Sequence, residues 1–360
     1  MSTSLLNTPT MLTYIYDEPN ALAKIVREYA HTLLPLTEHL RGRQINSVMM
    51  LATGSSYNAA LCARCYFEDT FGILVEIKEP YHFTHYERVN PSTSLVLAIS
   101  QSGKSASTLA AMQKVQAAGI PVFCLTSDPT SPAAQAADGV LDLNTGIERV
   151  GFVTRGFSAT VLNLLLIALL IAGHQGVISP TAAQAERRVL QDLAQALPGV
   201  IEKSEAFIRR HHRAWQAASR YVAIGYGALV GVAREAETKF TETVRLPASG
   251  VELEAYMHGP YLEANPSHLL FFIEDTHNSR LRALRDYMQP HVSQVFTITL
   301  DDDDASDTVL SLGVSLSHPL SPLLLVVPFQ LLSFHLAALR GVDLSLRIFD
   351  DFDRVLKSKI

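Results

Sequence analysis

An apolar strand that breaks into a hydroxyl-rich turn and resumes as an alanine-rich helix is written into Leu97 to Ala111, with Ser100, Gln101, Ser102, Gly103, Lys104 and Ser105 in the turn. Backbone N–H groups in the first turn of a helix have no partner inside it and lie at the positive end of its dipole, so an anion is stabilised there without a cationic side chain. Ser100, Gln101, Ser102 and Ser105 add side-chain donors. Alone, the segment reads equally well as a strand–turn–helix with ordinary serine capping. The pattern recurs where Val48–Ala52 runs into Thr53, Gly54, Ser55 and Ser56, and again at Tyr221–Ala228 through Gly225 and Gly227. Three such junctions describe an open α/β sheet, whose ligands bind beyond the carboxyl ends of its strands.

The periodicity along the chain extends this reading. Residues 1–40 read as a helical segment. A first α/β domain spans 41–175, with strands expected at Ser47–Ala52, Leu74–Lys78, Leu95–Ser100, Val122–Thr126 and Gly139–Leu143. Residues 176–217 are polar, helical in period and connecting. A second α/β domain spans 218–345, with strands at Tyr221–Ile224, Leu269–Ile273, Gln294–Leu300 and near Gly313–Leu316 and a closing helix at Pro328–Leu339; residues 346–360 form a charged tail. Strands separated by helices pair in parallel through right-handed crossovers.

Composition narrows the function. With 360 residues, 48% of them hydrophobic, the chain builds sizeable cores. A net charge of −6 with scattered Lys and Arg leaves no basic footprint for nucleic acid. The apolar run Val161–Ala172 is 12 residues broken by Asn163, short of the about 20 a spanning helix needs, so it reads as a buried helix and no membrane association is expected. Met1–Asn7 lack the basic and apolar regions of a secretory signal. Three cysteines, Cys62, Cys65 and Cys124, suggest no disulfide framework, and Cys62 and Cys65 read as packed thiols; a reducing cytoplasm is expected. His82 with His85, and His211 with His212, lack a third ligand, so no metal is expected. Asp301–Asp304 lack the spacing of a calcium loop and read as a turn cap. Gly225-x-Gly227 lacks the third glycine of a nicotinamide fingerprint, and no cofactor is expected.

Titratable groups gather in the second half: Glu235, Glu237 and Glu242 on a helical stretch, then Glu252, Glu254 and His258 before Gly259-Pro260. Glu235, Thr238 and Glu242 share one helix face. By spacing alone, acids beside Lys239 describe a solvated face.

These residues carry a family resemblance. The turn Thr53–Asn58, the run Ile99–Ser105, the helix Glu235–Glu242 and the loop His258-Gly259-Pro260 resemble the two-domain sugar isomerase (SIS) proteins, as in the isomerase module of glucosamine-6-phosphate synthase and the ketosamine-6-phosphate deglycases. The resemblance implies tandem SIS domains, each a flavodoxin-like parallel-sheet αβα sandwich with flanking helices. It implies that Gly54, Ser55, Ser56, Ser100, Gln101, Ser102, Ser105 and Thr154 bind a phosphorylated sugar or sugar–amine conjugate. It makes Glu242 the base that moves a proton, and His258 a group contributed from the partner of a homodimer. The tail Arg354–Ser358 resembles the family's terminal segment, which reaches the active site, and makes Lys357 the lysine that meets the open-chain sugar.

Departures point away from the synthase's own substrate. Lys104 stands where Glu is usual, Val153 where a sugar-contacting Ser is expected, and Ala255 where a Glu precedes the histidine. The chain contains no glutaminase region, so ammonia from glutamine is not expected as its amine source. The reading is an enzyme, a deglycase that cleaves a 6-phosphorylated fructosamine or other sugar–amine conjugate to hexose 6-phosphate and an amine. The alternatives are an amino-sugar-phosphate ketose–aldose isomerase and a non-catalytic sugar-phosphate binder.

Overall fold

The computed structural model describes residues 9–302 and 306–360. Met1–Asn7, read above as no signal sequence, and Asp303 and Asp304 of the acidic run lie outside the described residues. Two compact units emerge, each discontinuous in sequence. One comprises Asn20–Ile147, Gly156–Gln195 and Ile348–Ile360; the other comprises residues up to Pro19, Glu148–Arg155 and Ala196–Arg347.

The first unit is built on β1 (Ser47–Leu51), β2 (Leu74–Lys78), β3 (Leu95–Ile99), β4 (Val122–Thr126) and β5 (Gly139–Asp142). They form one sheet in the order β2-β1-β3-β4-β5, parallel throughout. β3 and β4 are buried along their whole lengths, as strands covered by helices on both faces must be. Met49, Leu51, Val96 and Ala98 pack against Leu109, Met112 and Val115 of the helix Ala106–Ala117, so the strand and the helix that flank the Ser100–Ser105 turn share one core.

The second unit repeats the plan with β6 (Arg220–Gly225), β7 (Ala248–Glu252), β8 (His268–Glu274), β9 (Gln294–Thr299) and β10 (Val309–Ser311). Its order, β10-β9-β8-β6-β7, is that of the first sheet read from the other edge, again all parallel. Both sheets follow the flavodoxin-like order 2-1-3-4-5.

Two strands differ from the sequence reading. β7 was not expected: Ala248-Ser249-Gly250-Val251-Glu252 has weak strand propensity, and it pairs because Gly250 lets the backbone close on the helix Leu229–Lys239, where a Cβ would meet the Ala233 oxygen at 2.1 Å. The last strand lies at Val309–Ser311, not near Gly313–Leu316, because Gly313 turns the chain with φ +63. The connecting segment is one helix, Pro180–Gln216. Among the described residues two stretches, Arg155–His174 and residues 318–339, are long and apolar enough to cross a membrane, but most of their residues are buried inside the protein, as in core helices.

Candidate functional site

In a sheet of order 2-1-3-4-5 the strand order reverses between β1 and β3, and the loops leaving those two strands open a crevice. In the first unit these loops are Thr53–Ser56 and Ser100–Ser105. A cavity of about 360 Å³ lies there, lined by Thr53, Ser56, Ser100, Ser102, Ser105, Ser107 and Thr108 together with Asp353, Ser358 and Lys359 of the C-terminal segment. A cavity of about 400 Å³ lies at the amino ends of the strands, among His39, Ile120, Pro121 and Asp138, and lacks hydroxyl groups.

The turn is held from within. Ser105 caps the helix Ala106–Ala117, its hydroxyl accepting the Thr108 N–H at 3.4 Å, and the Ser102 hydroxyl accepts the Lys104 N–H. Gly103 has φ +61, and a Cβ there would sit 1.9 Å from the Ser131 oxygen, so the turn admits no larger residue. Gln101 points elsewhere, its amide donating to Thr160. Gly54 supplies a positive φ of +57 ahead of the Ser55–Cys65 helix; it and Ser55 are not among the lining residues, whereas Ser56 is. Ser107, Thr108 and Thr53 extend the hydroxyl set; the Ser105–Thr108 run already carried that signal.

The tail lies on this turn. The Ala106 N–H donates to the Ser358 oxygen at 3.1 Å and the Ile360 N–H to the Lys104 oxygen at 2.9 Å, with Ser105 and Lys359 bridged antiparallel. Lys357, singled out by the resemblance, sits exposed in a left-handed turn with φ 51, and Lys359 takes the place on the cavity. A left-handed residue reverses the chain direction, and the sequence carries no sign of which lysine then faces inward.

The carboxylates belong to the second unit. The helix Leu229–Lys239 widens into a π turn over Phe240–Val244, a local distortion that re-aims side chains. The solvated face expected from spacing is overturned: Glu235 is 0% and Lys239 1% exposed. The Lys239 ammonium lies 2.7 Å from Glu242 and 3.4 Å from Glu235. Burial pulls the Lys239 pKa down, but Glu235, Glu242 and Glu148 push it up and prevail, so it remains an ammonium. Glu242 is the outermost member, with 39% of its side chain exposed. A half-open carboxylate fixed from behind by a buried cation is a positioned acceptor for a proton.

Glu148 links a further predicted residue to this cluster. It accepts both the N–H and the hydroxyl of Thr154 at 3.0 Å. Thr154 is fully buried and its carbonyl takes the Gln330 amide, so in this structure it braces Glu148. His258 is exposed at the end of the helix Leu253–Met257, followed by Gly259 at φ 142.

At the second unit's own switch point, between β6 and β8, the chemistry is different. Asp275 follows β8, is 2% exposed, and accepts from Tyr226, Thr276, Ser321 and the His318 ring. Burial raises its pKa, but the hydrogen bonds from His318, Tyr226 and Ser321 outweigh that and hold it below the usual carboxylate range. The other His318 nitrogen accepts the Ala228 N–H at 3.1 Å. No sequence signal joined residues 226, 275 and 318.

Residues 43–172 match the SIS domain. Glutamine–fructose-6-phosphate aminotransferase [isomerizing] of Gloeobacter violaceus is 27% identical over 305 residues, covering 83% of this chain and 50% of the relative. Its namesake from Thermococcus kodakarensis is 26% identical over 340 residues, covering 92% and 56%. The chain thus spans about half the length of these curated relatives. Among solved structures, a provisionally named phosphosugar isomerase from Clostridium difficile 630 is 25% identical with a TM-score of 0.89, covering 98% of this chain and 99% of that one. The C-terminal domain of glucosamine-fructose-6-phosphate aminotransferase from Francisella tularensis, 18% identical with a TM-score of 0.82 over 95% and 99%, shares the fold.

Proposed function

We propose that this chain, which carries an SIS domain and is homologous to part of the glutamine–fructose-6-phosphate aminotransferases, is a phosphosugar enzyme that cleaves a 6-phosphorylated fructosamine to hexose 6-phosphate and an amine. The observation that carries the reading is the pair of chemistries present: a hydroxyl-lined cavity at a strand-order reversal, suited to a phosphate, and a Lys239-held Glu242, suited to moving a proton. A sensor needs the first and has no use for the second.

In this chemistry Glu242 takes a proton from C1 of the open-chain conjugate, the electron pair forms a C1–C2 double bond, and the C2 oxygen gains a proton. Reprotonation at C2 yields an imine at C1. Water adds there, and the amine leaves with a proton supplied by His258. We place the protein as a homodimer in the cytoplasm, His258 serving the partner's site. Cys62 and Cys124 are buried in the first unit, and burial pushes the Cys124 thiol up to about 12.

Ketose–aldose isomerisation is the second reading, favoured by the word "isomerizing" in the relatives' names and by a base that serves either reaction. The test is a panel of 6-phosphorylated fructosamines of lysine, aspartate and glutamine and free amino-sugar phosphates, with hexose 6-phosphate followed by a coupled dehydrogenase. Release abolished in Glu242→Gln supports the deglycase. Interconversion of amino-sugar phosphates without amine release selects the isomerase.

A further inference from the structure

Resting on the reading that a phosphorylated ligand enters the cradle, we propose that Lys359 is the cation that receives its phosphate, and that Asp353 is the counter-ion the phosphate displaces. The part of the cavity built by residues 53–108 brings hydroxyls and no charge; both charges on its wall come from the C-terminal segment. Lys104, the cation within the turn, is exposed, is not among the lining residues, and acts on Asp128.

Lys359 is placed by backbone pairing. The antiparallel bridge sets it opposite Ser105, the cap of the helix Ala106–Ala117, and the flanking bonds from Ala106 to Ser358 and from Ile360 to Lys104 fix the register on both sides. Only the flexible four-carbon stem of the lysine is free to reorient. In the structure its ammonium donates to Asp353 at 2.8 Å, while the Ser358 hydroxyl donates to the other Asp353 oxygen at 2.6 Å.

That ion pair is open to solvent, with side-chain exposures of 52% for Lys359 and 25% for Asp353, so it is screened and weak. A phosphate monoester brings about two negative charges and three acceptor oxygens to the same ammonium, against one charge on Asp353. The ligand therefore wins the exchange, and Asp353 keeps its Ser358 hydroxyl. The tail thus converts a neutral hydroxyl pocket into one selective for a dianion. Asp353 opposes weaker anions by holding the cation and by adding like charge to the wall.

The experiment titrates the full-length protein with glucose 6-phosphate and with inorganic phosphate by calorimetry, at low and high salt, with glucose as the uncharged control. Lys359→Gln is expected to weaken both phosphate ligands at least about tenfold and to flatten their salt dependence. Lys359→Arg should recover most of that loss, which a purely structural role for the residue would not predict. Asp353→Asn should tighten both ligands about threefold or more, and Asp353→Asn combined with Lys359→Gln should behave as Lys359→Gln alone. Wild-type binding that Lys359→Gln leaves unchanged overturns the proposal while the phosphosugar reading stands. Wild-type protein that binds no phosphate ester overturns the reading, and the proposal with it.

Discussion

The two α/β units share a strand order and reverse it at corresponding places, yet they finish the corresponding strands with opposed chemistry. After β1 and β3 the first unit places hydroxyls and a positive-φ glycine around an open cavity. After β6 and β8 the second places Tyr226 and a buried, ionised Asp275, and seats His318 against the Ala228 N–H. The helix that follows β6 thus has its amino end satisfied by the protein's own imidazole, and a Cβ on Gly227 would come within 2.3 Å of it. Topology creates the place where a ligand can bind; the side chains at the strand ends decide whether a ligand or the protein occupies it. The second unit puts its chemistry elsewhere, in the Glu235–Lys239–Glu242 cluster at the far end of that helix.

The sharpest separation of the two units comes from Glu242→Gln, which should lower hexose 6-phosphate release by about a hundredfold to ten-thousandfold, the range for losing a general base. Affinity for glucose 6-phosphate, measured by calorimetry, should stay unchanged. Parallel loss of both would merge what the comparison keeps apart. Next in size, Lys239→Met leaves Glu235 buried without its cation and should cost about 3–5 kcal/mol of stability in urea unfolding. A loss below about 1 kcal/mol would mean that the cluster does not hold a compensated charge.

A matched pair of glycine substitutions tests the two switch points directly. Gly103→Ala and Gly227→Ala each force a Cβ onto left-handed backbone, at about 1–2 kcal/mol before the added cost of displacing Ser131 or His318. Only Gly103→Ala should also weaken phosphate binding; equal weakening by Gly227→Ala would show the second crevice to be a ligand site as well. The smallest effect at neutral pH belongs to Asp275. Its pKa is depressed in the folded state, so its ionisation stabilises the fold fully above the ordinary carboxylate value of about 3.9, and that contribution fades as pH falls through the folded value. Melting temperature should therefore drop less steeply below about pH 4 in Asp275→Asn than in wild type, and identical slopes would refute the assigned ionisation.

Much of this was legible from local pattern. Continuous apolar runs such as Leu95–Ile99 and Val122–Thr126 announced buried parallel strands, and the Ser100–Ser105 run announced a hydroxyl-rich turn into a helix. β7 escaped because it pairs through a close backbone approach at Gly250, a contact that leaves no mark on propensity. Thr154 was read as a ligand group from the family resemblance; its burial against Glu148 follows from packing.

Spacing within a helix placed Glu235, Thr238 and Glu242 on one face with Lys239 beside them, because the helical repeat is a local property. It carried no information on whether that face meets water, since burial is set by what packs over it: Lys239 is fully enclosed while Glu242, three residues on, stays open. In the same way the sequence determined a hydroxyl-rich turn after β3. Only the tertiary structure, by bridging Lys359 to Ser105 across more than two hundred and fifty residues of chain, decided which charged side chains share that cavity. Local backbone preference acts between neighbours in sequence, whereas electrostatics and packing act between neighbours in space.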